Sequence, residues 1–150
     1  MNSVNERITG FEEAIAGKGF EIVARYDTKG DLEQSRQAME EILAQYSDID
    51  AVMCGNDQSA LGALVSLGVA QRDDILIYGV DGSPDLKKEL AKSNTAIAGT
   101  GAQSPINEGK DAVKVGLAIL NGEDYEKNTY EPTFFINKDN VKMYGTDGWQ

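Results

Sequence analysis

At 150 residues the chain is the size of one ordinary domain, long enough to bury a sizeable core. Its 25 acidic against 14 basic residues give a net charge of −11, which opposes binding to a phosphate backbone, and the lack of His removes the commonest general base and zinc ligand. The single Cys excludes an internal disulfide, and no apolar run approaches the roughly 18 residues of a membrane span.

Ser3-Val4-Asn5-Glu6 fits a capping box, a hydroxyl at the cap with a carboxylate three residues on, and Ile8, Phe11 and Ile15 then recur at helical spacing. Gly17 and Gly19 stop that helix. Residues 20–26 read as a strand and 27–30 as a turn. Asp31 caps a helix with the stripe Leu32, Met39, Ile42, Leu43 and Tyr46. Residues 49–55 are an apolar strand that ends abruptly in Gly55-Asn56-Asp57, and a helix over 59–67 follows at once, closed by Gly68.

Residues 75–80 form another buried strand ending in Asp81-Gly82. Ser83 caps the next helix with Pro84 at its first position, and that helix runs to about Lys92. Residues 95–102 are a weaker, Gly-rich strand, punctuated by Gln103-Ser104-Pro105. Ile106, Gly109, Val113, Gly116, Leu117 and Leu120 make a long helical stripe with Gly122 as its stop. Residues 130–137 read as a strand interrupted by Pro132, and 139–149 as a short, turn-rich tail.

Strict alternation of helix and strand with short loops predicts an α/β fold, a parallel sheet with helices on both faces. The chain opens on a helix with no strand before it. Either the sheet starts late or a strand is missing.

Ligands of open α/β sheets bind beyond the carboxyl ends of the strands. Asn56 and Asp57 follow one predicted strand, Asp81 the next and Gln103 the third. A carboxylate and two amides around one crevice suit a polyol, because each hydroxyl both donates and accepts, and these side chains can bridge neighbouring hydroxyls. The plainer alternative is that Asn56 and Asp57 cap a helix and Asp81-Gly82 is only a turn. Arg7 lies in the first helical turn, where a cation opposes the helix dipole. It is either a fourth member of the crevice or a solvated surface Arg. No Gly-rich phosphate loop, Cys/His pair or metal-ligand spacing is present, Gly99-Thr100-Gly101 lacks the residues a phosphate loop needs, and Cys54 reads as an inert core residue. No catalytic residue, metal or cofactor is expected.

The stretch Ala51-Val52-Met53-Cys54-Gly55-Asn56-Asp57-Gln58-Ser59-Ala60-Leu61-Gly62-Ala63-Leu64 resembles the hallmark of the type I periplasmic binding proteins. These are sugar-binding subunits of bacterial ABC importers, with the effector domains of LacI-type repressors as relatives. Glu6-Arg7 before Gly10-Phe11, Tyr78-Gly79-Val80-Asp81-Gly82-Ser83-Pro84, Gln103-Ser104-Pro105 and the tail from Lys138-Asp139-Asn140-Val141 to Gly148-Trp149-Gln150 follow in family order.

In ribose-type members the residues matching Arg7, Asn56, Asp81 and Gln103 contact the sugar, so the resemblance implies a ligand site at those four, with Asp57 structural. Those members also carry an aromatic near the start of the helix that begins at Asp31. This chain has Leu32 there, with Tyr26 nearby. That departure counts against ribose itself, since a sugar face stacks well on a ring.

The resemblance also implies an incomplete lobe: the N-terminal lobe and the first central strand of the C-terminal lobe are absent from this stretch. Residues 1–103 and 134–150 would form the partial C-terminal sugar-binding lobe. Residues 104–133 would be a crossing segment and a helix that packs on the other lobe. Such a stretch is expected to bind a monosaccharide weakly or not at all alone. Homo-oligomers or domain swaps through the exposed sheet edge and the unpartnered helix are expected as well. The implied function is solute recognition for ABC import, without turnover, with the permease as partner of the full-length parent. That parent would work outside the cytoplasm, although this stretch shows no leader and by itself would stay in the cytosol. The alternative is the effector-binding half of a LacI-type regulator.

Overall fold

The computed structural model describes residues 2–150. Three of the predicted apolar runs become parallel strands lying side by side, β1 (Ala51–Met53), β2 (Leu76–Asp81) and β3 (Ile97–Ala102), with Val52 opposite Ile77 and Asp81 opposite Ala102. A fourth, β4 (Phe134–Asn137), completes the order β1-β2-β3-β4 but runs antiparallel to β3. The expectation of a wholly parallel sheet fails there for a visible reason. Ala102, the last residue of β3, pairs with Phe134, the first of β4. The chain between them returns to the end of the sheet it left, instead of crossing the sheet as a parallel connection must.

The helices are α1 (Asn2–Ile15), α2 (Leu32–Gln45), α3 (Asp57–Ala70), α4 (Pro84–Leu90), α5 (Pro105–Asn121) and the short α6 (Val141–Tyr144). Three start where a side chain takes up a free backbone N–H: Asp31 accepts from Gln34, Asn56 from Ser59 and Ser83 from Leu86. Helix α1 starts at Asn2, ahead of the expected Ser3 cap, which moves Arg7 from the first turn to the second.

Helices α3 and α4 lie on one face of the sheet. A Cβ added at Gly79, in the middle of β2, would meet Asp57 and Ala60 of α3 and Leu86 of α4. Helix α2 packs against α3 so closely that a Cβ at Gly62 would stand 2.2 Å from the Leu32 carbonyl oxygen. The core sits between these helices and the sheet, around Met39, Leu67, Ile77, Leu86, Ile97 and Ile136, each 1% exposed or less.

The opposite face is less closely covered. Leu76 and Phe135 there remain 46% and 50% exposed, and neither α1 nor α5 buries a residue fully. Residues 20–26 also depart from expectation. They form no strand, their backbone joins no ladder, and Phe20 is 69% exposed. Alternating apolar side chains make a strand only beside a partner strand, and β1 stands at the sheet's edge with β2 as its single neighbour.

Candidate functional site

The parallel strands bring their carboxyl ends to one side of the sheet, and the ladder runs on past the strand, with Gln103 N–H donating to the Asp81 carbonyl at 3.2 Å. Three predicted residues meet there. The Arg7 guanidinium, reaching in from α1, donates through Nη1 to the Gly55 carbonyl at 2.9 Å and lies 3.0 Å from Asp81 Oδ1. Its Nη2 donates to Gln103 Oε1 at 3.4 Å. Gln103 Nε2 in turn donates to Asp81 Oδ1 at 3.1 Å. The two charged side chains are 22% and 20% exposed, so the cluster is mostly buried yet still reaches solvent.

Asn56, the fourth predicted residue, adjoins this cluster through Gly55 but hydrogen-bonds to none of the three. Its Oδ1 accepts from Ser59 N–H at 2.9 Å as the cap of α3, and its Nδ2 donates to the Gly30 carbonyl at 3.0 Å. The helix-cap alternative therefore holds for Asn56 together with its place at the strand end. One amide N–H and one lone pair are left for a further partner. A Cβ on Gly30 would stand 2.7 Å from that Nδ2, and Gly30 has φ +72°, so glycine is required at the contact on both counts.

The Asp81 carboxyl is pushed above its ordinary pKa. Burial is the main cause, the Arg7 charge opposes it, and the neighbouring Asp57 carboxylate adds to it. The Asp81 backbone is strained as well: φ is +135°, followed by +74° at Gly82. A non-glycine residue held there costs of order 1–3 kcal/mol, and such strain gathers where a side chain must be aimed.

Leu32 is only partly buried, at the first position of α2. Tyr26 does not bring a ring to the cluster, because its hydroxyl accepts from Gln45 at the far end of α2. Sequence reasoning missed Thr100. It is fully buried, donates to Asp57 Oδ1 at 2.7 Å and accepts from Gly82 N–H at 3.1 Å. The available signal was a lone hydroxyl residue between two glycines at a strand's end.

Residues 1–124 match the family described as periplasmic binding protein domain. The ribose import binding protein of Salmonella typhimurium (strain LT2) is 34% identical over 122 residues, which are 81% of this chain and 40% of that protein. The protein of the same name from Bacillus subtilis (strain 168) is 31% identical over 131 residues, 87% of this chain and 42% of that one. Among solved structures, an ABC transporter solute binding protein from Bacillus halodurans C-125 with bound myo-inositol matches with a TM-score of 0.84 and 31% identity, over 92% of this chain and 48% of that chain. A periplasmic solute binding protein from Actinobacillus succinogenes 130z with bound D-allose has a TM-score of 0.89 at 23% identity, a likeness of fold, over 93% of this chain and 50% of that one. The chain thus spans about 40% of the length of these curated relatives and about half of these solved chains. It belongs to the periplasmic binding protein domain family.

Proposed function

We propose that Arg7, Asn56, Asp81 and Gln103 form one wall of a site for a monosaccharide or cyclic polyol, in the solute-recognition subunit of an ABC importer. One observation carries this reading. Side chains from α1, the end of β2 and the end of β3 meet in a half-buried, hydrogen-bonded cluster at the carboxyl side of the sheet. Its groups match adjacent hydroxyls. The Asp81 carboxylate accepts, the Arg7 guanidinium donates through a planar fork, and the two amides do both. Cation and anion are already paired, so a neutral polyol meets a wall of fixed dipoles without a net charge to neutralise. Relatives named for ribose, or crystallised with myo-inositol or D-allose, agree with that ligand class.

The reading is one of recognition without turnover, in keeping with relatives named as import binding proteins. In the full-length parent the opposite wall would come from the rest of the protein, with residues 104–133 as the crossing segment. The parent would deliver its sugar to a permease outside the cytoplasm. With one wall alone, affinity stays in the millimolar range, about 4 kcal/mol.

The test is titration of the 15N-labelled chain with D-ribose, D-allose and myo-inositol by NMR. Small, saturable shifts grouped at Arg7, Asn56, Asp81 and Gln103 are expected at millimolar sugar. Shifts that avoid all four residues would overturn the site, and micromolar affinity would overturn the single-wall reading.

A further inference from the structure

Asp57 faces no solvent and is 1% exposed, yet one carboxylate there joins three elements. Its Oδ2 accepts the Ser83 N–H at 2.7 Å, at the start of α4. Its Oδ1 accepts the Thr100 hydroxyl at 2.7 Å, from β3, and the same hydroxyl oxygen accepts the Gly82 N–H at 3.1 Å. The Asp57 N–H itself points to Asp81 Oδ2 at 3.4 Å. Room for the carboxylate exists because residue 79 is glycine, since a Cβ there would stand 2.3 Å from Asp57 Oδ1.

These contacts surround the strained stretch at residues 81–82. The two N–H groups that follow Asp81 are both tied to one carboxylate, Ser83 directly and Gly82 through Thr100. A buried chain N–H to hydroxyl to carboxylate has low dielectric around it, where each bond polarises the next. Strained backbone persists where its surroundings over-determine it. Gly82 supplies the turn that only glycine fits, because its φ is +74° and a Cβ there would stand 2.5 Å from Ala102 Cβ.

We propose that Asp57, acting with Thr100, is the positioning residue of the polyol wall: it holds the 81–83 turn so that the Asp81 carboxylate meets Arg7 and Gln103. What the wall binds rests on the sugar reading above, while how the wall is held does not. A carboxylate that merely stapled the fold would change stability without moving Arg7 and Asp81 relative to the rest.

The experiment uses NMR on the 150-residue chain, reading the Asp81 carboxyl carbon, the Arg7 guanidinium and the Gly82 and Ser83 amides. Asp57→Asn and Thr100→Val are expected to move these signals selectively and to weaken D-ribose, D-allose and myo-inositol shifts by about tenfold, the effect of one misplaced charge-assisted hydrogen bond. Thr100→Ser, which restores the hydroxyl, is expected to return the Asp81 and Arg7 signals. Variants that fold with Asp81 and Arg7 unmoved would overturn the proposal. So would displacement spread over the whole spectrum without rescue by Thr100→Ser. Should both disruptive variants fail to fold, hydrogen exchange in the unsubstituted chain decides: Gly82 and Ser83 amides as protected as β2 support the proposal, and loop-like exchange refutes it. If the three sugars move nothing in the unsubstituted chain, the sugar reading falls, and the Asp81 and Arg7 signals still decide the positioning.

Discussion

The Asp81 carboxylate is held between the Arg7 guanidinium and a second carboxylate, Asp57, and the balance of these forces has a measurable sign. Burial raises its pKa more than Arg7 lowers it. A carboxyl with a raised folded-state pKa holds its proton more tightly folded than unfolded. Its contribution to stability is complete below the unfolded value of about 4 and is lost as pH rises through the folded value. Urea midpoints measured from about pH 4 upward are therefore expected to move in favour of Asp81→Asn relative to the unsubstituted chain. Parallel curves would show that the Arg7 pairing cancels burial, and a difference growing the other way that it outweighs burial. Residue types at strand ends were enough to nominate Asn56, Asp81 and Gln103, because a short apolar run ending in a polar residue is a local signal, whereas Arg7, on a helix, was singled out by its expected place in the first turn and by the family resemblance. Thr100 was not legible. Its partners, Asp57 and Gly82, are 43 and 18 residues away in the chain. The flanking Gly99 and Gly101 mark the position as unusual, but they do not say which distant groups the hydroxyl joins.

At the level of elements the same division between local and distant causes holds. The caps at Asp31 and Ser83 were readable because donor and acceptor lie three residues apart. The segment over 20–26 was misread because a strand needs a partner that its own residues do not specify, and β4 ran antiparallel because residues 103–133 return to the end they left. Helix α4 hides a feature that no amphipathic pattern announces. Lys87 is fully buried, and its Nζ donates to the Gly148 carbonyl at 2.6 Å, while Ser104 Oγ donates to the Gln150 carbonyl at 2.6 Å. The tail is thus fastened both to α4 and to the residue that follows Gln103. Burial pulls the Lys87 pKa down, with Asp147 and Asp57 opposing. Lys87→Met keeps the aliphatic stem and removes the cost of burying a charge. Its folding free energy is expected to stay within about 1 kcal/mol of the unsubstituted chain, while hydrogen exchange over residues 145–150 accelerates. A tail that stays protected in this variant would mean that Lys87 does not anchor it.

For the whole molecule, two exposed features are expected to set its behaviour in solution. Along α5, Val113, Leu117 and Leu120 are 63%, 55% and 82% exposed, and their spacing puts them on one stripe. Strand β1 also leaves its outer edge unpaired. Burying one Leu or Val side chain contributes about 1.5–3 kcal/mol, so a shared α5 stripe outweighs the cost of bringing two chains together once several such side chains are covered on each. The net charge of −11 works against this, since two copies repel. Repulsion between solvated charges is screened within about 10 Å at 0.1 M salt, whereas apolar burial is not weakened by salt. Added salt is therefore expected to raise the sedimentation coefficient of the chain. Leu117→Glu combined with Leu120→Glu is expected to keep it monomeric at every salt concentration. If the double variant associates as strongly as the unsubstituted chain, the β1 edge and not the α5 stripe joins the copies. A unsubstituted chain that sediments as a monomer at high salt would mean that neither surface joins them.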